Sequence, residues 1–293
     1  DFLLRFGRRS EGMWLPETAV DTETLEILAA QGLKFTILSP YQARAIRPIG
    51  HDAWTRVEGG HVDPTRPYLV RLPSGRSIVV FFYDGPIAKA LAFESGLSSP
   101  EELLRRLEAG YHTGRDHEEI LSVAVDGETF GHHKKGGEEV LAAALAQAES
   151  RGMTLTNYGQ YLEQHPPTWE AQIVEPSSWS CAHGVERWRS DCGCGGGDPA
   201  WSQGWRAPLR EALDRLRDDL ADFYEQEGGR LFADPWAARD RYIEVMLDHG
   251  AERVEAWLAE HEAKPGALGT ERAKVQALRL LEMQRQAMLM YTS

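Results

Sequence analysis

The chain has 293 residues, 42% of them apolar and 26% charged, a balance that fits a soluble globular protein and excludes collagen, disorder and a membrane bundle. Lys and Arg number 32 against 45 Asp and Glu, a net charge of −13; that field repels phosphate backbones and anionic headgroups, which argues against nucleic-acid and membrane partners and for neutral substrates. No run of about 18 uncharged apolar residues occurs, and the opening stretch Asp1–Arg9 is too short and too charged for a secretory signal.

Met13-Trp14-Leu15 reads as a strand end, followed by a helix that Asp21 caps, whose Leu25, Leu28 and Ala29 share a face and which Gly32 stops. Lys34–Leu38 is the next strand. Tyr68–Leu72 and Ser77–Phe82 flank the turn Pro73-Ser-Gly-Arg76 and read as an antiparallel hairpin. Leu121–Val125 has the apolar character of a buried strand, Glu138–Arg151 is a helix closed by Gly152, and Met153–Thr156 is a further strand. This alternation predicts an α/β sheet or barrel over residues 1–165. Residues 166–206 are rich in Pro, Trp, Gly and Cys, show no sustained period and read as a long ordered loop. Over 207–293 the chain is helical throughout: Leu209, Leu213, Leu216, Leu220 and Phe223 keep helical spacing, and further helices fit Pro235–His249, Ala251–Glu262 and Thr270–Tyr291.

Two motifs place carboxylates where α/β enzymes keep their sites, at the C-terminal mouth of strands. Gly12-Met-Trp-Leu-Pro-Glu17 does so after the first strand, and Asp126-Gly-Glu-Thr-Phe-Gly-His132 does so after Leu121–Val125, with Gly127 and Gly131 allowing a sharp turn. Two such carboxylates facing one cleft about 5–5.5 Å apart meet the requirement for retaining glycoside hydrolysis. Plainer roles stand beside this one: Glu17 as a favourable charge before a helix, Asp126 as a turn residue. Spacing does not choose between Asp126 and Glu128.

In pairing and order these two motifs resemble signature regions of glycoside hydrolase family 57. That family comprises retaining α-glucan amylases, 4-α-glucanotransferases and branching enzymes on a (β/α)7 barrel. The resemblance implies Glu17 as nucleophile, Asp126 rather than Glu128 as general acid/base, an α-glucan or oligosaccharide as substrate, and no cofactor. Ser177-Ser-Trp-Ser-Cys-Ala-His-Gly-Val-Glu-Arg-Trp188 further resembles a less characterised branch of the family. The His-Gln-Pro strand and the second signature region that precede the nucleophile motif in the family have no counterpart in this sequence. The expectation is therefore a partial (β/α)7-type barrel followed by an all-helical C-terminal domain, completed by a partner chain or by self-association.

Trp169, Trp179, Trp188, Trp201 and Trp205 crowd one stretch, and ring faces can stack on glucose C–H faces. Trp14, Trp179, His183 and Trp188 are the candidate substrate-binding residues, with Trp14 foremost. The three cysteines are too few for a disulfide framework, which places the protein in a reducing cytoplasm. Cys181, His183, Cys192 and Cys194 supply the four ligands of a structural zinc site, although Cys-x-Cys is tighter than the usual spacing and Arg187 and Arg189 lie in between. Reduced cysteines packed beside the cleft are the plainer reading. Among whole-protein readings, a metal-dependent polysaccharide deacetylase and a non-catalytic glucan-binding or assembly subunit stand as alternatives.

Overall fold

A computed structural model describes residues 1–112, 114–194 and 201–292. They form two compact units, one of Ser10–Glu186 and one of Asp1–Arg9 with Arg187–Ser293.

The first unit is built on a mixed sheet of β1 (Gly12–Met13), β2 (Phe35–Leu38), β3 (Ala43–Pro48), β4 (Thr55–Arg56), β5 (Pro67–Arg71), β6 (Ser77–Phe82) and β7 (Trp169–Ile173), in the order β1-β2-β6-β5-β7-β3-β4. β1, β2 and β6 are parallel neighbours, with Phe35 beside Gly12 and Val79. β6 is buried without a break from Ile78 to Phe82, as a strand covered on both faces must be. On one face Leu38, Val80 and Phe82 meet Leu25 and Leu28 of the helix Thr22–Ala30. On the other, Ile37, Val79 and Phe81 meet Tyr161. Each such side chain contributes about 1.5–3 kcal/mol on burial. The helix begins as predicted: Asp21 Oδ1 accepts from Thr24 N at 2.8 Å. The predicted hairpin also forms, as antiparallel β5 and β6 with Tyr68 opposite Val80.

Three predicted elements differ. Leu121–Val125 and Met153–Thr156 are not strands: Ile120 N donates to Thr65 O at 3.0 Å and Asp84 N donates to Ser122 O at 2.7 Å, but no ladder continues from them. An apolar run becomes a strand only where a neighbour pairs with its backbone. Conversely, the region read as loop contains β7, wedged between β5 and β3 and paired to both.

In the second unit, helices span Arg206–Leu231, Pro235–Arg241, Ile243–Leu247, Ala251–His261 and Glu271–Thr292. The helix predicted over Pro235–His249 is thus broken in two. Trp257, Tyr224, Phe232, Leu258 and Leu281 form the core. The leading helix does not bury the face its leucines suggested. Leu209, Leu216 and Phe223 are exposed, and its buried line runs through Tyr224, Gly228 and Leu231. Gly228 lets Pro235 approach to where an added Cβ would lie 2.9 Å from the proline ring. Among the described residues no helix is long and apolar enough to cross a membrane.

Candidate active site

β1 stops at Met13, Leu15 plugs into the core, and Pro16–Thr18 makes a single tight turn. Glu17 (φ 57°) and Thr18 (φ 51°) are both left-handed, a conformation that costs a non-glycine residue about 1–3 kcal/mol. The surroundings hold it. Thr18 N donates to Leu15 O at 2.9 Å, and Trp179 N donates to Glu17 O at 3.1 Å. The buried Gln42 amide donates to Thr18 O at 2.8 Å and contacts Ser177 Oγ at 2.9 Å. Two adjacent strained residues, over-determined by contacts from distant parts of the chain, present the Glu17 carboxylate.

That carboxylate is gripped on one oxygen. Trp179 Nε1 at 3.0 Å and Ser180 Oγ at 2.5 Å both donate to Oε2, and among the described residues Oε1 accepts no hydrogen bond. The Trp14 ring lies edge-on to Trp179 with centroids 5.2 Å apart, and Tyr83 does the same from 6.1 Å. The helix that follows is capped by Asp21 and not by Glu17.

Asp126 precedes a single turn, Gly127–Thr129, to which its side chain gives no capping bond. It is therefore not the turn-holding residue of the plain reading. Burial raises its carboxyl above the usual aspartate range, the negative charges of Glu17 and then Glu128 raise it further, and His133 opposes them. The charge of Glu17 acts on Asp126, which couples the two sequence motifs electrostatically. A carboxyl pushed upward holds its proton longer, which suits an acid donor. Trp14 and Asp126 line a cavity of about 1360 Å³ that continues along Leu121, Val125, Met153 and Tyr158.

Sequence reasoning missed Gln42, Ser180 and Tyr83. For Gln42 a signal existed: Ser39-Pro-Tyr-Gln42 is a capping box, with Ser39 N donating to Gln42 Oε1 at 2.9 Å. Ser180 sits inside the Ser177–Trp188 stretch but carries no local mark. Trp188 ends the short turn Glu186–Trp188 and is 37% exposed. His183 lies in the Cys181–Cys194 loop, with its ring nitrogen among the cysteine sulfurs. Among the described residues that loop is the one group of His, Cys, Asp and Glu close enough to hold a metal; no such set occurs at Glu17 and Asp126.

Residues 3–173 match the model of glycosyl hydrolase family 57. The chain belongs to glycosyl hydrolase family 57. Glu17 and Asp126 fall inside that match, whereas Trp179 and Ser180 lie beyond it. Residues 201–293 match a domain of unknown function, DUF3536. Among solved structures, the chain is similar to a novel exo-type maltose-forming amylase from Pyrococcus sp. ST04, at 18% identity and a TM-score of 0.65, over 98% of this chain and 52% of that one. It is also similar to family 57 branching enzymes from Pyrococcus horikoshii (15% identity, TM-score 0.54, 96% of this chain and 63% of that one) and Thermococcus kodakaraensis (17%, 0.52, 98% and 59%). The chain thus spans between about half and three fifths of the length of these family 57 structures. No curated protein matches it. The fold is that of family 57, a partial (β/α)7-type barrel followed by a helical domain.

Proposed function

We propose that the chain carries the catalytic carboxylates of a retaining enzyme that cleaves or transfers α-glucosidic bonds, with Glu17 as nucleophile and Asp126 as general acid/base. The observation that carries this is the one-sided grip on Glu17. With Oε2 engaged by Trp179 and Ser180, Oε1 is the oxygen left to attack the anomeric carbon. Asp126, whose carboxyl is pushed above the usual aspartate range by burial and by the charges of Glu17 and Glu128, gives its proton to the glycosidic oxygen as that C–O bond breaks. The leaving sugar departs with a new hydroxyl, and the retained sugar is esterified to Glu17. Asp126, now a carboxylate, takes a proton from water or from a sugar hydroxyl, which attacks the same carbon and releases Glu17. Water gives hydrolysis, and a sugar hydroxyl gives transfer. The names of the amylase and branching-enzyme structures support an α-glucan as substrate, and the edge-to-face pair Trp14 and Trp179 supplies apolar surface beside Glu17.

Reaction with a 5-fluoro-α-glucosyl fluoride, which forms the ester faster than it is hydrolysed, tests the assignment by peptide mass mapping. The expected result is one glucosyl adduct on the peptide containing Glu17, abolished in Glu17→Gln. An adduct on another carboxylate, or normal turnover by Glu17→Gln, would overturn it.

A further inference from the structure

We propose that Cys181, His183, Cys192 and Cys194 bind one zinc ion in a closed structural site. One ligand atom from each residue lies within 4.8 Å of all the others, with Cys181 buried, Cys192 and Cys194 half-buried and His183 exposed at the rim. In a tetrahedral site with Zn–S bonds of about 2.3 Å, neighbouring sulfurs stand about 3.8 Å apart, so the cluster needs only about 1 Å of contraction to close on a metal. All four ligands come from residues 181–194, which makes the site a property of one loop.

Local backbone chemistry explains how so short a loop turns its ligands inward. Gly193, between the two close cysteines, is left-handed (φ 76°), as is Gly184 after His183 (φ 81°). An alanine Cβ at Gly184 would lie 2.6 Å from Pro176 O, so the glycine there is sterically required as well. Gly184 N donates to Cys181 O at 3.2 Å, and Ser178 Oγ donates to Gly184 O at 2.7 Å. The tight Cys-x-Cys spacing, which argued against zinc from sequence alone, is accommodated by the turn at Gly193.

The arginines, the second objection, change sign once charges are counted. Three thiolates and a neutral imidazole around Zn²⁺ leave a net charge of −1. Arg206 Nη1 lies 3.8 Å from Cys192 Sγ, where it offsets that charge, and Arg187 donates from Nε and Nη2 to Cys194 O at 3.2 and 3.1 Å. Such outer hydrogen bonds orient metal ligands and tune their basicity. Four protein ligands leave no open position, so the role is structural. Ser180 adjoins Cys181 in sequence, so metal binding would fix the stretch from which Trp179 and Ser180 reach Glu17.

The test uses the whole chain, purified reduced and without chelator. Elemental analysis is expected to give about one zinc per chain, lost in Cys181→Ser and in Cys194→Ser. Replacing zinc with Co(II) is expected to give the thiolate-to-cobalt charge-transfer absorption and the strong visible bands of a tetrahedral site. The cobalt spectrum is read on the unsubstituted protein and so does not depend on the variants folding. Chelation is expected to lower Tm and to make the cysteines reactive toward a thiol reagent. A protein that takes up neither added Zn(II) nor Co(II), a disulfide between two of the cysteines in that reduced preparation, or zinc retained by a Cys192→Ser/Cys194→Ser double variant would each overturn the site.

Discussion

Asp126 feels Glu17 and Glu128 on one side of its titration and His133 on the other, on top of the upward push of its own burial. If it delivers the proton, activity falls as the pH rises through its raised pKa, because the ionised form has none to give. Glu128→Gln removes one of the negative charges and is expected to move the alkaline limb of the kcat/KM profile to lower pH, with little loss on the acid side. A limb that stays in place would assign it to another group. Asp126 and Glu17 stand out in the sequence because each sits in a compact motif at the end of an apolar run. The groups that tune them do not. Ser180 reaches Glu17 across a separation of 163 residues and Gln42 reaches Ser177 across 135, and bonds of that range leave no local pattern in a sequence.

Strand β7 shows the same limit for whole elements. Trp169-Glu-Ala-Gln-Ile173 carries a charge at a position that is buried, so its alternation reads poorly until the partners are known. Glu170 is held by Arg47 of β3 at 2.7 Å and by Arg71 of β5, which ties three neighbouring strands together. Burial alone would raise its carboxyl, but the hydrogen bonds and charges of Arg71 and Arg47 outweigh it and hold the pKa below the usual glutamate range. A carboxyl depressed on folding stabilises the fold above its unfolded pKa, and that stability disappears as the pH falls through the folded value. Glu170→Gln is therefore expected to lower Tm at neutral pH, and the gap to the unsubstituted protein is expected to close below the ordinary glutamate range. An equal gap at both ends of a pH series would show that packing, not charge, sets the role of this residue. Leu121–Val125 erred in the opposite direction: its apolar run announced a strand, but pairing depends on a neighbour that a local pattern does not encode. The helical tail read more faithfully, since helices satisfy their own backbone and need no partner to be recognised.

Across the chain as a whole, the parallel neighbours β1, β2 and β6 supply one arc of a barrel wall. Leu121–Val125 and Met153–Thr156 line a cavity of about 1360 Å³ with strand-like sequence that enters no ladder. Backbone that enters no ladder, beside apolar side chains, is a template for another strand. A retaining site also needs groups that fix the sugar at the point of cleavage, and misplacing them by about 1 Å can cost about 10²-fold in rate. We therefore expect residues 1–293 alone to self-associate or to take up a partner strand, and to turn over maltooligosaccharides slowly. Light scattering after size exclusion, with product analysis, tests this. A monomeric chain of 293 residues with full activity would mean that the catalytic site is complete on this arc, and that the cavity is substrate space rather than a seat for further strands.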